Sequence, residues 1–191
     1  MALGVYPGSF NPPTVAHLAI AETAWRQLGL ERVDLVVSRT ALGKEGVEVP
    51  SLDHRLEVLQ EVAASRPWLG VQVVDVQLIV DVAEGYDVVV MGADKWAQVF
   101  DPAWYGGSEE ARDKAVARLP TVAVVARAGA VLEGVDEHGA VLLDVPEHFT
   151  LMSSSAARTG RREWMTPEAL DFDERTGAWT DEARYTRYRM R

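Results

Sequence analysis

What most limits the fold of this chain is an alternation of two patterns. Short runs rich in β-branched residues recur as LGVYPG, RVDLVVSR, LGVQVVDV, YDVVVMGA, TVAVVARAG and AVLLDV, several of them apolar at consecutive positions. A half-exposed strand alternates apolar with polar residues, so runs without alternation predict strands covered on both faces. Helical periodicity lies between several of these runs. Leu18, Ala21, Trp25 and Leu28 fall on one stripe, and Leu52, Leu56, Leu59 and Ala63 fall on another. Strands alternating with helices predict a parallel sheet in an α/β fold. At 191 residues, 48% of them apolar, the chain has the size of one domain with a full core. No repeat, low-complexity tract or linker divides it. The composition shifts only after about Gly160, where the chain turns charged and aromatic and closes on DEARYTRYRMR.

Charge and cysteine content exclude several classes of function. A formal net charge of −10 disfavours a partner held by neutralising a nucleic-acid backbone, while leaving room for a local pocket that takes a small anion. With no cysteine there is no disulfide, thiolate metal site or thiol nucleophile. The first residues, MALGVYPGSF, lack the pattern of a secretion signal, and no apolar run reaches the roughly 20 residues that cross a bilayer. The expectation is a cytoplasmic protein with neither nucleic-acid nor membrane partners; a homo-oligomer is compatible with all of this.

The loop after the first strand, GSFNPPTVAHL, is the most specific stretch. Gly8 permits close backbone approach to a ligand. Ser9, Phe10 and Asn11 offer amide N–H groups, which Pro12 and Pro13 do not. Thr14 suits the N-cap of the next helix, and His17 then falls at its third position, on the same face. Free N–H groups and the helix dipole draw anions to such a terminus. The plain alternative is a capping threonine with a solvated histidine; the cap holds under either reading. Neither G-x-G-x-x-G nor G-x-x-x-x-G-K-[ST] occurs in the chain.

Three motifs in order resemble the nucleotidylyltransferase superfamily, closest to its nicotinate and nicotinamide mononucleotide adenylyltransferases. GSFNPPTVAHL is similar to the [HT]-x-G-H signature, VVVMGADKW to the strand and G-x-D turn beside the substrates, and LMSSSAAR to the late I-S-S-T-x-x-R motif. Thr14 stands where the first histidine is common, Ala16 where a glycine precedes the second, Ser155 for threonine and Ala157 for isoleucine. Beyond Arg158 the resemblance ends, so the chain reads as one domain over 1–191 whose residues 160–191 diverge.

The resemblance implies a Rossmann-like, doubly wound parallel sheet with helices on both faces. It implies transfer of an adenylyl group from ATP to a phosphorylated small molecule with release of pyrophosphate, nicotinate or nicotinamide mononucleotide being the leading acceptor. Phosphopantetheine adenylyltransferase, a small cytidylyltransferase and an inactive nucleotide-binding module are the alternatives. His17, Thr14, Lys44 and Arg158 would serve the reaction. Gly8, Ser9, Phe10, Gly92, Asp94, Ser153, Ser154 and Ser155, with Thr14, His17 and Arg158, would bind the nucleotide, Asp94 taking ribose hydroxyls. Lys44, Arg55, Trp96 and Trp104 would bind the acceptor, the tryptophans by stacking on a flat ring. Mg²⁺ would arrive on the triphosphate, with no protein ligand to name for it. His54, His138 and His148 lack metal-ligand spacing and are expected at the surface.

Overall fold

The computed structural model describes residues 1–39, 49–126 and 139–190. Six strands, β1 (Leu3–Pro7), β2 (Arg32–Ser38), β3 (Leu69–Val74), β4 (Val88–Gly92), β5 (Thr121–Val125) and β6 (Val141–Leu142), form one sheet in the order β3-β2-β1-β4-β5-β6. Every pairing is parallel, with Val5 opposite Asp34 on one side of β1 and Val89 on the other. The order runs outward from β1 in both directions, the arrangement of a doubly wound sheet. AVLLDV contributes only a two-residue edge strand.

Alternate side chains of each strand serve opposite faces, which is why the runs carry no polar alternation. Tyr6, Leu35, Val90 and Ala123 face α1 (Val15–Gln27) and α2 (Leu52–Ala64). Val5, Val36, Met91 and Val124 face α3 (Ile79–Val82), α4 (Ala93–Val99) and α5 (Glu109–Val116). Both sequence stripes point inward as expected, with Ala21 and Leu59 buried and Leu18, Trp25, Leu28, Leu52, Leu56 and Ala63 packed beside them. The exception within the sheet is Asp34, 2% exposed on β2. Its carboxylate pairs with Nε of Arg32 at 2.8 Å and accepts from the Tyr86 hydroxyl at 3.0 Å. A Cβ at Gly70 on the neighbouring strand would lie 1.9 Å from Oδ1 of Asp34, so only glycine fits there.

The chain then continues through short helices α6 (Glu147–Thr150) and α7 (Ser154–Arg158) and the longer α8 (Pro167–Thr176) and α9 (Glu182–Arg189). The residues after Gly160 build a third apolar cluster in which Phe172, Trp179 and Tyr185 pack on Val58 of α2 and Ala157 of α7. No described helix is long and apolar enough to cross a membrane.

Candidate active site

A cleft of about 570 Å³ opens at the carboxyl ends of β1 and β4, the crevice that a change of winding direction leaves in such a sheet. Its lining includes Gly8, His17, Arg55, Gly92, Asp94 and Arg158, drawn from all parts of the chain.

The loop from Gly8 to Thr14 forms the floor. Gly8 N–H still donates to the Val36 carbonyl at 3.0 Å, extending the ladder one residue past β1. A Cβ at Gly8 would meet the Phe10 ring at 2.8 Å. The space expected there for a ligand is therefore taken, on that side, by Phe10. This side chain is 1% exposed and packs edge-on to Tyr6 at 5.6 Å and to His17 at 5.1 Å. The fold-back gives Phe10 a φ of +43°, uncommon for a residue with a side chain. Phe10 shapes the floor as an apolar wedge; any part in nucleotide binding falls to its backbone.

At the helix start Thr14 is the N-cap and His17 the third position, as the spacing predicts. Thr14 Oγ1 accepts from His17 N–H at 3.4 Å, and Nδ1 of His17 accepts from Thr14 N–H at 3.0 Å, with Thr14 Oγ1 2.9 Å from the same nitrogen. This is a capping box in which histidine takes the place of the usual glutamate or glutamine. An amide N–H only donates, so Nδ1 must accept and the ring proton of the neutral imidazole sits on Nε2. The cap thus fixes which nitrogen is the donor.

The three carbonyls of Asn11, Pro12 and Pro13 take donors from the late part of the chain. The Arg158 guanidinium donates to Asn11 O, Ser154 Oγ to Pro12 O at 2.8 Å, and Thr166 N–H to Pro13 O at 3.1 Å. Arg158 also donates to Ser155 Oγ at 3.2 Å, while Ser153 caps α7 by accepting from Ala156 N–H at 3.2 Å. Ser154 and Arg158, expected on the phosphates, are thus engaged on the loop. Ser153, Ser154, Ser155 and Arg158 nevertheless line the cleft.

The family model described as cytidylyltransferase-like matches residues 5–160, which span the sheet, the cleft and every motif in it. The chain belongs to that family. Among curated relatives, a probable nicotinate-nucleotide adenylyltransferase of Salinibacter ruber is 36% identical over 77 residues, about two-fifths of either chain. One of Bacillus mycoides is 26% identical over 186 residues, 89% of both. The solved nicotinic acid mononucleotide adenylyltransferase of Plasmodium falciparum, complexed with NaAD, superposes with a TM-score of 0.67 at 14% identity, over 91% of this chain and 95% of that one. The likeness to that structure is one of fold.

Within this cytidylyltransferase-like chain, Arg55 is the most informative cleft residue. It stands on α2 with 7% exposure, donates from Nη1 to the Ser9 carbonyl at 3.1 Å, and keeps an Nε without a hydrogen-bond partner. No described carboxylate pairs with it, and burial lowers its pKa from the ordinary arginine value. A buried cation lacking a counter-charge is a place prepared for an anion. Gly92 caps α4 and leaves nothing within 4 Å of where a Cβ would stand, so the cleft is open beside it. Asp94, in the first turn of α4, lines the cleft.

The two tryptophans part company. Trp96 is 3% exposed and packs edge-on against Phe100 at 4.7 Å, because it follows Ala93 by three positions on the face of α4 that meets the sheet. It belongs to the core, which corrects the expectation of a stacking role. Trp104 instead lines a second pocket, of about 90 Å³, which shares Gly8, Ser9, Ser38 and Lys95 with the main cleft and adds Tyr105 and Gln98. Lys95 and Gln98 escaped the sequence reading. Their spacing of three places them on the outer face of α4, where Lys95 Nζ donates to Gln98 Oε1 at 2.5 Å.

His54 is also corrected. It lies within an aromatic group of Phe172, Tyr185 and Tyr188, its Nδ1 2.7 Å from the Tyr185 hydroxyl, rather than at the surface. His148 is exposed as expected. Lys44 and His138 fall outside the described residues. Among the described residues no group of three or more carboxylates or histidines gathers that could hold a metal ion.

Proposed function

We propose that the protein transfers the adenylyl group of ATP to a pyridine mononucleotide, nicotinate mononucleotide foremost, releasing pyrophosphate. The reading rests on the Thr14–His17 cap, which leaves the ring proton on Nε2 of a histidine lining the cleft. The family membership and the printed names of the relatives support it.

An oxygen of the acceptor phosphate forms a bond to the α-phosphorus, the α–β bridging P–O bond breaks, and its electron pair leaves with pyrophosphate. No protein nucleophile is needed. Positioning and stabilisation of charge on the non-bridging oxygens supply the catalysis. His17 Nε2–H donates to an α-phosphate oxygen as charge gathers there. Arg55 carries the acceptor phosphate, whose charge relieves the uncompensated guanidinium. Asp94 accepts from ribose hydroxyls, and Ser153, Ser155 and Arg158 flank the triphosphate from the other wall. Trp104 stacks on the pyridine ring in the second pocket, where Lys95 and Gln98 offer a cation and an amide to a ring carboxylate. Lys44 remains a candidate for the phosphates. Mg²⁺ enters with the nucleotide, in keeping with its preference for substrate phosphates over an all-protein cage.

The test is pyrophosphate release, with ATP against nicotinate mononucleotide, nicotinamide mononucleotide and phosphopantetheine, and with CTP against glycerol phosphate. Fastest release with nicotinate mononucleotide is expected. Activity confined to phosphopantetheine or to CTP, or absent throughout, rejects the assignment.

A further inference from the structure

We propose that Trp179 is a positioning residue for the phosphate loop, acting through Asn11. The loop cannot hold its own shape. Pro12 and Pro13 have no N–H, so the segment lacks the donors with which a turn closes on itself, while its carbonyls still need partners. For Asn11, Pro12 and Pro13 those partners come from residues 154–166, as described above, and for Ser9 from Arg55. A further tie is between side chains: Nε1 of Trp179 donates to Oδ1 of Asn11 at 2.6 Å, with both residues 7% exposed.

An indole has one N–H and no acceptor, so it fixes which end of the carboxamide faces it. The Asn11 amide nitrogen is thereby turned from the indole, on a residue that lines the cleft. The indole is itself held from behind. Oδ1 of the buried Asp173 accepts from the backbone N–H groups of Trp179 at 2.8 Å and Thr180 at 3.1 Å, Oδ2 accepts from Thr180 Oγ1 at 2.7 Å, and Arg162 pairs with Oδ2 at 3.1 Å. Phe172 packs edge-on to the ring at 5.9 Å. A rigid chain of contacts therefore runs from Arg162 through Asp173 and Trp179 to the loop that precedes Thr14 and His17. Its end point is the direction of the loop amides.

Trp179→Phe keeps an aromatic ring in the cluster and removes the N–H. By calorimetry, ATP binding should weaken about fivefold while binding of adenosine, which has no phosphate for the loop, stays within about twofold. The kinetic arm rests on the reaction proposed above: kcat for pyrophosphate release should fall about tenfold with the acceptor KM nearly unchanged. Asn11→Ala deletes the same bond from the other side, and the double variant should lose no more than the worse single one. Equal losses for ATP and adenosine, or losses that multiply in the double variant, overturn the proposal. If Trp179→Phe fails to fold, the ATP-against-adenosine comparison in Asn11→Ala decides alone. A wild-type protein that binds ATP without releasing pyrophosphate rejects the reaction and leaves Trp179 to the calorimetry; one that binds no ATP rejects both.

Discussion

The two nitrogens of the His17 ring divide a structural part from the one proposed in the reaction, and that division is what a substitution would expose. Nδ1 accepts from Thr14 N–H and Nε2 carries the ring proton on a residue that lines the cleft, so His17→Ala loses both. The lost bond to Thr14 N–H should cost about 1 kcal/mol of stability, with Thr14 still the N-cap. The lost donor should lower kcat by about 10²–10³ while nucleotide affinity stays within about tenfold, because the interaction strengthens only as charge develops. Steady-state kinetics and a denaturant titration on the same variant separate the two effects, and an unchanged kcat would remove His17 from the reaction. Gly92 makes the opposite test. With a φ of −81° and no atom within 4 Å of where a Cβ would stand, the position tolerates a side chain sterically, yet it opens on the cleft. Gly92→Val should therefore melt within a few degrees of the parent and lose more than about tenfold in ATP affinity by calorimetry. Loss of both together would make Gly92 a folding residue.

At the level of elements, α2 is where the early and late parts of the chain meet. Tyr185 on α9 is 1% exposed, and its hydroxyl accepts from Ser51 N–H at 2.8 Å, lies 2.7 Å from His54 Nδ1 and donates to Ser51 Oγ at 3.3 Å. Ser51 is the N-cap of α2, and Arg55 stands one turn further on. Tyr185→Phe keeps the ring and strands these groups, at a cost of about 1–3 kcal/mol. The measurement is a lower urea midpoint with an unchanged m-value, accompanied by a raised KM for the acceptor through Arg55; a midpoint equal to the parent's would show the hydroxyl to be idle. The same helix shows what is legible in sequence. Its inward stripe, its serine cap and the presence of Arg55 can be read from local spacing. The surroundings of His54 cannot, because they come from residues 118 to 134 positions away and no local period encodes them. Trp96 departs from expectation for a related reason: an indole near a substrate motif looks the same in sequence whether its helix turns it inward or outward, and only the Ala93–Trp96–Val99 spacing marks the inward face.

Over the whole molecule, the alternation behind the sheet, the strand-end loop and the helix cap are legible because each is written in contiguous residues. The late clamp on the loop is not, since its hydrogen bonds span 142 to 168 positions. The buried Asp34 on β2 also takes a hydrogen bond from Tyr86, just ahead of β4, and this contact sets an alkaline limit on the fold. Burial and the hydrogen bond to Asp34 push the Tyr86 phenol up to about 12. Below about pH 10 both folded and unfolded chains keep that proton and the contribution is complete; as pH rises further the unfolded chain releases it first, and stability falls until the folded phenol ionises as well. Denaturation followed from about pH 9 to about pH 12 should show this decline, and Tyr86→Phe should flatten it; an identical slope in the variant would place its origin elsewhere. The span of the Trp179 contact has a last consequence, which concerns time rather than energy. Synthesis delivers the loop long before the indole that steadies it, so a ribosome builds β1 through β6 and α1 through α8 before Asn11 meets its partner. A chain halted anywhere between the two owns the loop without the indole that steadies it.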